Sequence, residues 1–177
     1  MTVRRATDGD LADILSIHRL AFPDESVADL TADLLADPTA QPSTSLVAVA
    51  DGKVVGHILF TAAHLEPETE HRVSILAPLG VTPGYQRMGV GGGLVSEGLS
   101  VVARSGVTIV FVLGHPTYYP RYGFRPAGEL GFAAPYPIPK KDAGAWMVQG
   151  LGTDLPEPYA GTVRCAKALD HPDLWRE

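Results

Sequence analysis

The sequence predicts a mixed α/β fold, with a mainly antiparallel central sheet flanked by helices. Two apolar, β-branched stretches, Ser45 to Ala50 and Lys53 to Ala62, are joined by Asp51-Gly52, the pattern of an antiparallel hairpin. Further on, a continuous apolar run from Val73 to Val81 leads into a glycine-rich stretch, a helical repeat from Val90 to Arg104 and a second apolar run from Val107 to Leu113. Strand, loop, helix and strand in that order make a βαβ-like unit, and such a unit beside a hairpin makes the sheet mixed. The chain has 177 residues, and about 150 residues already bury roughly 70% of the unfolded surface. No internal repeat, low-complexity tract or linker divides it, so residues 1–177 read as a single domain.

The elements follow in order. Val3 to Ala6 reads as a short first strand, and Thr7 with Asp10 three residues on has capping-box spacing. The helix behind it carries Leu11, Ile14, Leu15, His18, Ala21 and Phe22 on one face, which makes His18 a packed core histidine. Pro23 interrupts the pattern. A second helix, about Glu25 to Ala36, turns Val27, Leu30 and Leu34 inward and leaves Asp24, Glu25, Asp29 and Asp33 on or near the exposed side, until Asp37-Pro38 ends it. After the hairpin and a polar loop from Glu66 to His71, Val73–Val81 has the length and apolarity of a buried central strand. It is expected to diverge from Val107–Leu113 near their C-terminal ends. Pro83-Gly84 stops it, and Gly106 ends the helix that presents Leu94, Val95, Leu99, Val102 and Ala103. Beyond Leu113 the chain is rich in Pro, Gly and aromatics, and only Ala145–Leu151 and Thr162–Leu169 read as further strands.

Composition narrows the function. A formal charge of -6 with no basic run opposes a non-specific grip on nucleic acid, which needs clustered Lys and Arg to release counterions. No run of about 18 apolar residues exists to span a membrane, and the N-terminus passes from two arginines into acidic residues without an apolar segment. A cytoplasmic protein is expected. The single cysteine, Cys165, makes no internal disulfide and reads as a small buried hydrophobe. No histidine and carboxylate spacing suits a metal, and no Gly-x-Ser-x-Gly elbow occurs.

An acidic protein can still hold an anion where backbone N–H groups converge at a helix start. Gln86-Arg87-Met88-Gly89-Val90-Gly91-Gly92-Gly93 lies between a strand and a helix, where glycines let the backbone curl around a phosphate or simply permit a tight turn. A P-loop is excluded, because Val90 and Gly91 stand where Lys and Ser or Thr belong after Gly84 and Gly89. A dinucleotide fingerprint fails too, because Gly89-Val90-Gly91 is followed by Leu94 at the last glycine position.

The segment Gln86-x-x-Gly89-x-Gly91, after the strand end Leu79-Gly80-Val81-x-Pro83, resembles the Gln/Arg-x-x-Gly-x-Gly/Ala signature of the GNAT acetyltransferase superfamily. Tyr118-Tyr119-Pro120-Arg121-Tyr122-Gly123-Phe124 resembles the tyrosine turn that follows the next strand in that family, and Gly114 to Phe124 is similar to the Gly-His-Pro-x-Tyr-Tyr-Pro-Arg-Phe/Tyr-Gly-Phe block of one subset. The resemblance implies the GNAT fold and an N-acetyltransferase that uses acetyl-coenzyme A, without a metal, on a small-molecule or peptide amine, with a homodimer left open. It implies that backbone from Gln86, Arg87, Met88, Gly89, Val90, Gly91 and Gly92 binds the coenzyme A pyrophosphate. Leu79, Gly80 and Val81 would pair with the pantetheine arm, and one N–H there would polarise the thioester carbonyl. Arg87 either adds charge near the phosphates or is a solvated loop arginine. Tyr119 matches the family's general acid. Many relatives carry an asparagine where this chain has Val112, so the coenzyme contact from that side must differ. The general base stays open among His115, His64, Asp24, Glu25 and water. The alternative from another class is a silent acyl-coenzyme A binding module.

Overall fold

The structure, a computed structural model, describes residues 1–176. Strand β1 (Thr2–Arg5) runs into a turn in which the Thr7 N–H donates to Asp10 Oδ2 at 2.7 Å, and Arg4 holds the same carboxylate at 2.8 and 3.0 Å. Helix α1 (Leu11–Ala21) starts there. Its buried face is Ile14, Ile17 and His18, whereas Leu11 is 43% exposed. The expected face is thus rotated: Leu11 sits exposed in the first turn, and Ile17 is buried in its stead. Helix α2 (Ser26–Ala36) buries Ala28, Thr31 and Leu34, with Val27 and Leu30 half-buried.

Strands β2 (Thr44–Ala50) and β3 (Lys53–Glu66) form the expected hairpin, with Asp51 and Gly52 both at positive φ. Strand β4 (Val73–Val81), helix α3 (Val90–Arg104) and strand β5 (Ile109–Leu113) complete the βαβ unit. Short strands β6 (Arg125–Pro126) and β7 (Phe132–Ala133) then precede β8 (Trp146–Gly150) and β9 (Gly161–Cys165). The expected strand Thr162–Leu169 is cut at Cys165. Lys167–Leu169 is instead a 3-10 turn, because Asp37 and Thr39 accept from the N–H groups of Ala168 and Lys167 and bend the chain away from the sheet.

The sheet runs β1-β2-β3-β4-β5-β8-β6, with β9 on β3 and β7 on β9. Among the described residues only β4–β5 and β7–β9 are parallel, so the sheet is mixed and mainly antiparallel. Alternation along the strands separates two cores. Ile109, Phe111, Trp146 and Val148 face α2 and the C-terminal turns; Val110, Val112 and Met147 face α3. Phe111 stacks on Trp146 with centroids 5.1 Å apart, and each such fully buried side chain stabilises the fold by about 1.5–3 kcal/mol. Among the described residues no helix is long and apolar enough to cross a membrane.

Candidate functional site

The site begins where the sheet opens. Strand β4 is parallel to β5 from Val73–Ile109 to Leu76–Val112, and beyond Leu76 it has no strand partner on that side among the described residues. Against β3 the pairs Ile58–Leu79 and Phe60–Leu76 set three steps of β4 against two of β3, a bulge at Ala77-Pro78 that bends the strand out of the sheet. The expected divergence of β4 and β5 is present. N–H and C=O groups of one residue point the same way and alternate along an antiparallel strand. Thr82 N–H donates to Val55 on β3 at 2.9 Å, so Gly80 also faces β3, while Leu79 and Val81 turn their backbone groups toward the gap. The Val81 carbonyl there accepts from the Gln86 side chain at 2.9 Å, which ties the glycine loop to the strand end.

The loop carries two positive-φ residues, Arg87 (61°) and Gly89 (83°), just ahead of α3. At Gly89 this backbone favours glycine, although a Cβ would meet nothing within 4 Å. Gln86, Arg87 and Met88 are exposed, and Val90 is buried against β3. The first intrahelical bond runs from Gly93 N–H to the Gly89 carbonyl at 3.0 Å. The six consecutive N–H groups of Arg87 to Gly92 have no acceptor among the described residues. Such a row, with the positive end of the α3 dipole behind it, is a cradle for an anion.

Gly91 and Gly92 lie beneath two tyrosine hydroxyls. A Cβ at Gly91 would lie 2.6 Å from the Tyr118 hydroxyl oxygen, and one at Gly92 would lie 2.6 Å from that of Tyr122. The tyrosine turn (Tyr119–Tyr122, a 3-10 helix) therefore lies against the start of α3, and Gln149 Nε2 anchors it by donating to the Tyr122 carbonyl at 2.8 Å.

Tyr119 is buried next to Tyr118. It is 7% exposed, its ring fills the space beside Gly114, and it lines a cleft of about 410 Å³ at the mouth of the β4–β5 gap. Burial first, and then the neighbouring Tyr122, push its phenol pKa well above the usual value. Leu79 and His115 line the same cleft. So do Phe22, Ser26 and Leu30, together with Trp175 and Arg176 near the chain end. That C-terminal wall carries no motif, and no local signal could have revealed it. Of the candidate bases, the cleft contains His115 but not His64, which lies on β3 beside Glu66 at 3.8 Å, nor Asp24 and Glu25, which are exposed in the α1–α2 turn. Among the described residues no group of three His, Cys, Asp or Glu is placed to hold a metal.

Residues 2–127 match the family model described as "Acetyltransferase (GNAT) domain". The uncharacterized N-acetyltransferase YjhQ of Escherichia coli strain K12 is 49% identical over 159 residues, 89% of this chain and 87% of that protein. The crystal structure of the GNAT family N-acetyltransferase YhbS from Escherichia coli in complex with CoA superposes with a TM-score of 0.85 at 27% identity, covering 96% of this chain and 92% of that one. A GNAT family acetyltransferase from Brucella melitensis in complex with acetyl-CoA gives a TM-score of 0.75 at 26% identity, over 96% and 97%. By the family model and by these relatives alike, the chain belongs to the GNAT acetyltransferase family.

Proposed function

We propose that this protein is an acetyl-coenzyme A-dependent N-acetyltransferase that acetylates a primary amine of a small molecule or peptide by direct attack on the thioester. One observation carries the reading. The six unaccepted N–H groups of Arg87–Gly92 and the open edge of β4 are joined through the Gln86–Val81 hydrogen bond, and the open edge leads to the cleft where Tyr119 lies. An anion cradle continuous with an unpaired strand suits a ligand with a pyrophosphate at one end and an amide-bearing arm at the other. The two coenzyme-bound relatives share the fold that creates this continuity.

The bound co-substrate supplies an activated acyl carbon and a thiolate leaving group. The N–H groups of Leu79 and Val81 pair with the arm, and one of them donates to the carbonyl oxygen as charge develops on it, worth roughly 3 kcal/mol. Tyr119, kept protonated by its burial, gives its proton to the departing sulfur. The amine enters between α2 and the C-terminal turns and releases its proton to water or to His115, which lines the same cleft.

Calorimetry with coenzyme A and thiol release from acetyl-coenzyme A over a panel of amines test the proposal. Gly91→Glu sets a carboxylate at the α3 N-terminus, where the Cβ already crowds Tyr118, and lowers coenzyme A affinity about tenfold or more. Unchanged affinity refutes the cradle. Binding without turnover of any amine makes the protein a silent acyl-coenzyme A module instead.

A further inference from the structure

We infer that Tyr118 and Tyr122 are ligands of the coenzyme's phosphate groups, two phenolic O–H donors that complete the cradle beside Gly91 and Gly92. The inference rests on the proposed coenzyme A site and adds to it residues from a different segment. Both hydroxyls reach the first turn of α3, as the 2.6 Å approaches to the Cβ positions of Gly91 and Gly92 require. Among the described residues neither hydroxyl has an acceptor outside the pair, and the Tyr118 hydroxyl is turned toward that of Tyr122, from which an anion would draw it. The tyrosine hydroxyls that do find one belong to Tyr85, Tyr136 and Tyr159, far along the chain.

The rings are held firmly. Tyr118 packs edge-on against Tyr119 at 5.1 Å and tilted against Tyr122 at 5.3 Å, and the Arg121 guanidinium lies 5.3 Å over its face. Ring positions fixed in this way bring two donors to the same turn that presents the free N–H groups of Val90, Gly91 and Gly92. Partial burial first, and then hydrogen bonding toward the Tyr122 hydroxyl, raises the Tyr118 pKa, so its oxygen keeps the proton it would donate. Phosphate oxygens, with several lone pairs each and net negative charge, match a set made only of donors.

The arrangement also accounts for one sequence feature. A side chain at Gly91 or Gly92 would stand where the Tyr118 or Tyr122 hydroxyl lies, which fits glycine at both positions.

The test uses the full chain and three probes: coenzyme A, inorganic pyrophosphate, and pantetheine, which has the arm but no phosphate. Tyr118→Phe and Tyr122→Phe keep the rings and remove only the hydroxyls, so thermal midpoints serve as the folding control. Each variant is expected to lose about tenfold in affinity for coenzyme A and for pyrophosphate, and to bind pantetheine like the parent. Gly91→Ala displaces the Tyr118 hydroxyl in the parent, so it costs affinity there and little more once Tyr118 is Phe, whose ring carbon stands 3.8 Å from that Cβ. Coenzyme A affinity within twofold of the parent in both Phe variants overturns the inference while leaving the proposed function intact. Equal losses for pantetheine and coenzyme A overturn it as well, since the hydroxyls would then face the arm. A parent chain that binds no coenzyme A overturns both readings.

Discussion

His18 Nε2 on α1 lies 2.8 Å from His57 Nδ1 on β3, and His57 Nε2 in turn lies 2.8 Å from Ser45 Oγ on β2. Both imidazoles are fully buried, and His18 Nδ1 has no partner among the described residues. Burial drives both rings toward the neutral form, lowering His18 to about 4 and His57 to about 3, the latter with a further push from His18. A packed core histidine is what the helical pattern predicts for position 18; its buried polar partner on β3 comes only from the fold.

The first prediction concerns acid stability. The unfolded chain protonates both rings near pH 6.5, whereas the folded chain resists until about pH 4 or below. Between these values the unfolded state binds more protons, so stability is complete above about pH 6.5 and falls as the pH drops toward 4. Each ring contributes a slope that approaches about 1.4 kcal/mol per pH unit within this window. The carboxylates with lowered pKa, Asp10, Asp24 and Asp37, act below about pH 4 and leave this window to the histidines. Urea unfolding at a series of pH values reads the slope, and His18→Leu should flatten it; a slope unchanged in that variant refutes the assignment.

The second prediction couples this pair to the open strand. A Cβ at Gly80 would lie 2.6 Å from His18 Nδ1, and the ring is locked in the core rather than free to swing away. Gly80→Ala should therefore destabilise the protein by about 1–3 kcal/mol. In the background of His18→Ala, which vacates the space, most of that cost should vanish, giving a coupling of at least about 0.5 kcal/mol in a double-mutant cycle. Additive losses would show that the two residues do not touch.

The third prediction addresses chemistry. Tyr119→Phe keeps the buried ring beside Gly114 and removes only the hydroxyl, so folding and coenzyme affinity should survive. General-acid catalysis contributes about 10²- to 10⁴-fold. With an amine that is turned over, kcat should fall within that range while KM for acetyl-coenzyme A barely moves. Turnover within about threefold of the parent means that the thiolate leaves without this phenol. A loss of kcat in Tyr118→Phe, and none in Tyr119→Phe, assigns the acid to the neighbouring residue.

What the sequence determined by itself is what neighbours within about fifteen residues decide. The Asp51-Gly52 turn, the strand Val73–Val81 and the helix Val90–Arg104 appear at the bounds their period and breakers predict, because backbone preference and apolar spacing are local properties. The glycine loop was legible for the same reason. Tertiary structure alone decided which face of α1 is buried, since a 3.6-residue repeat leaves the choice between Leu11 and Ile17 to the surface it meets. It decided that Lys167–Leu169 leaves the sheet, because Asp37 and Thr39 lie more than a hundred residues away. It also decided the cleft: Tyr119, Phe22 and Trp175 come from three distant segments, and only the bulge that parts β4 from β5 gives them a common opening.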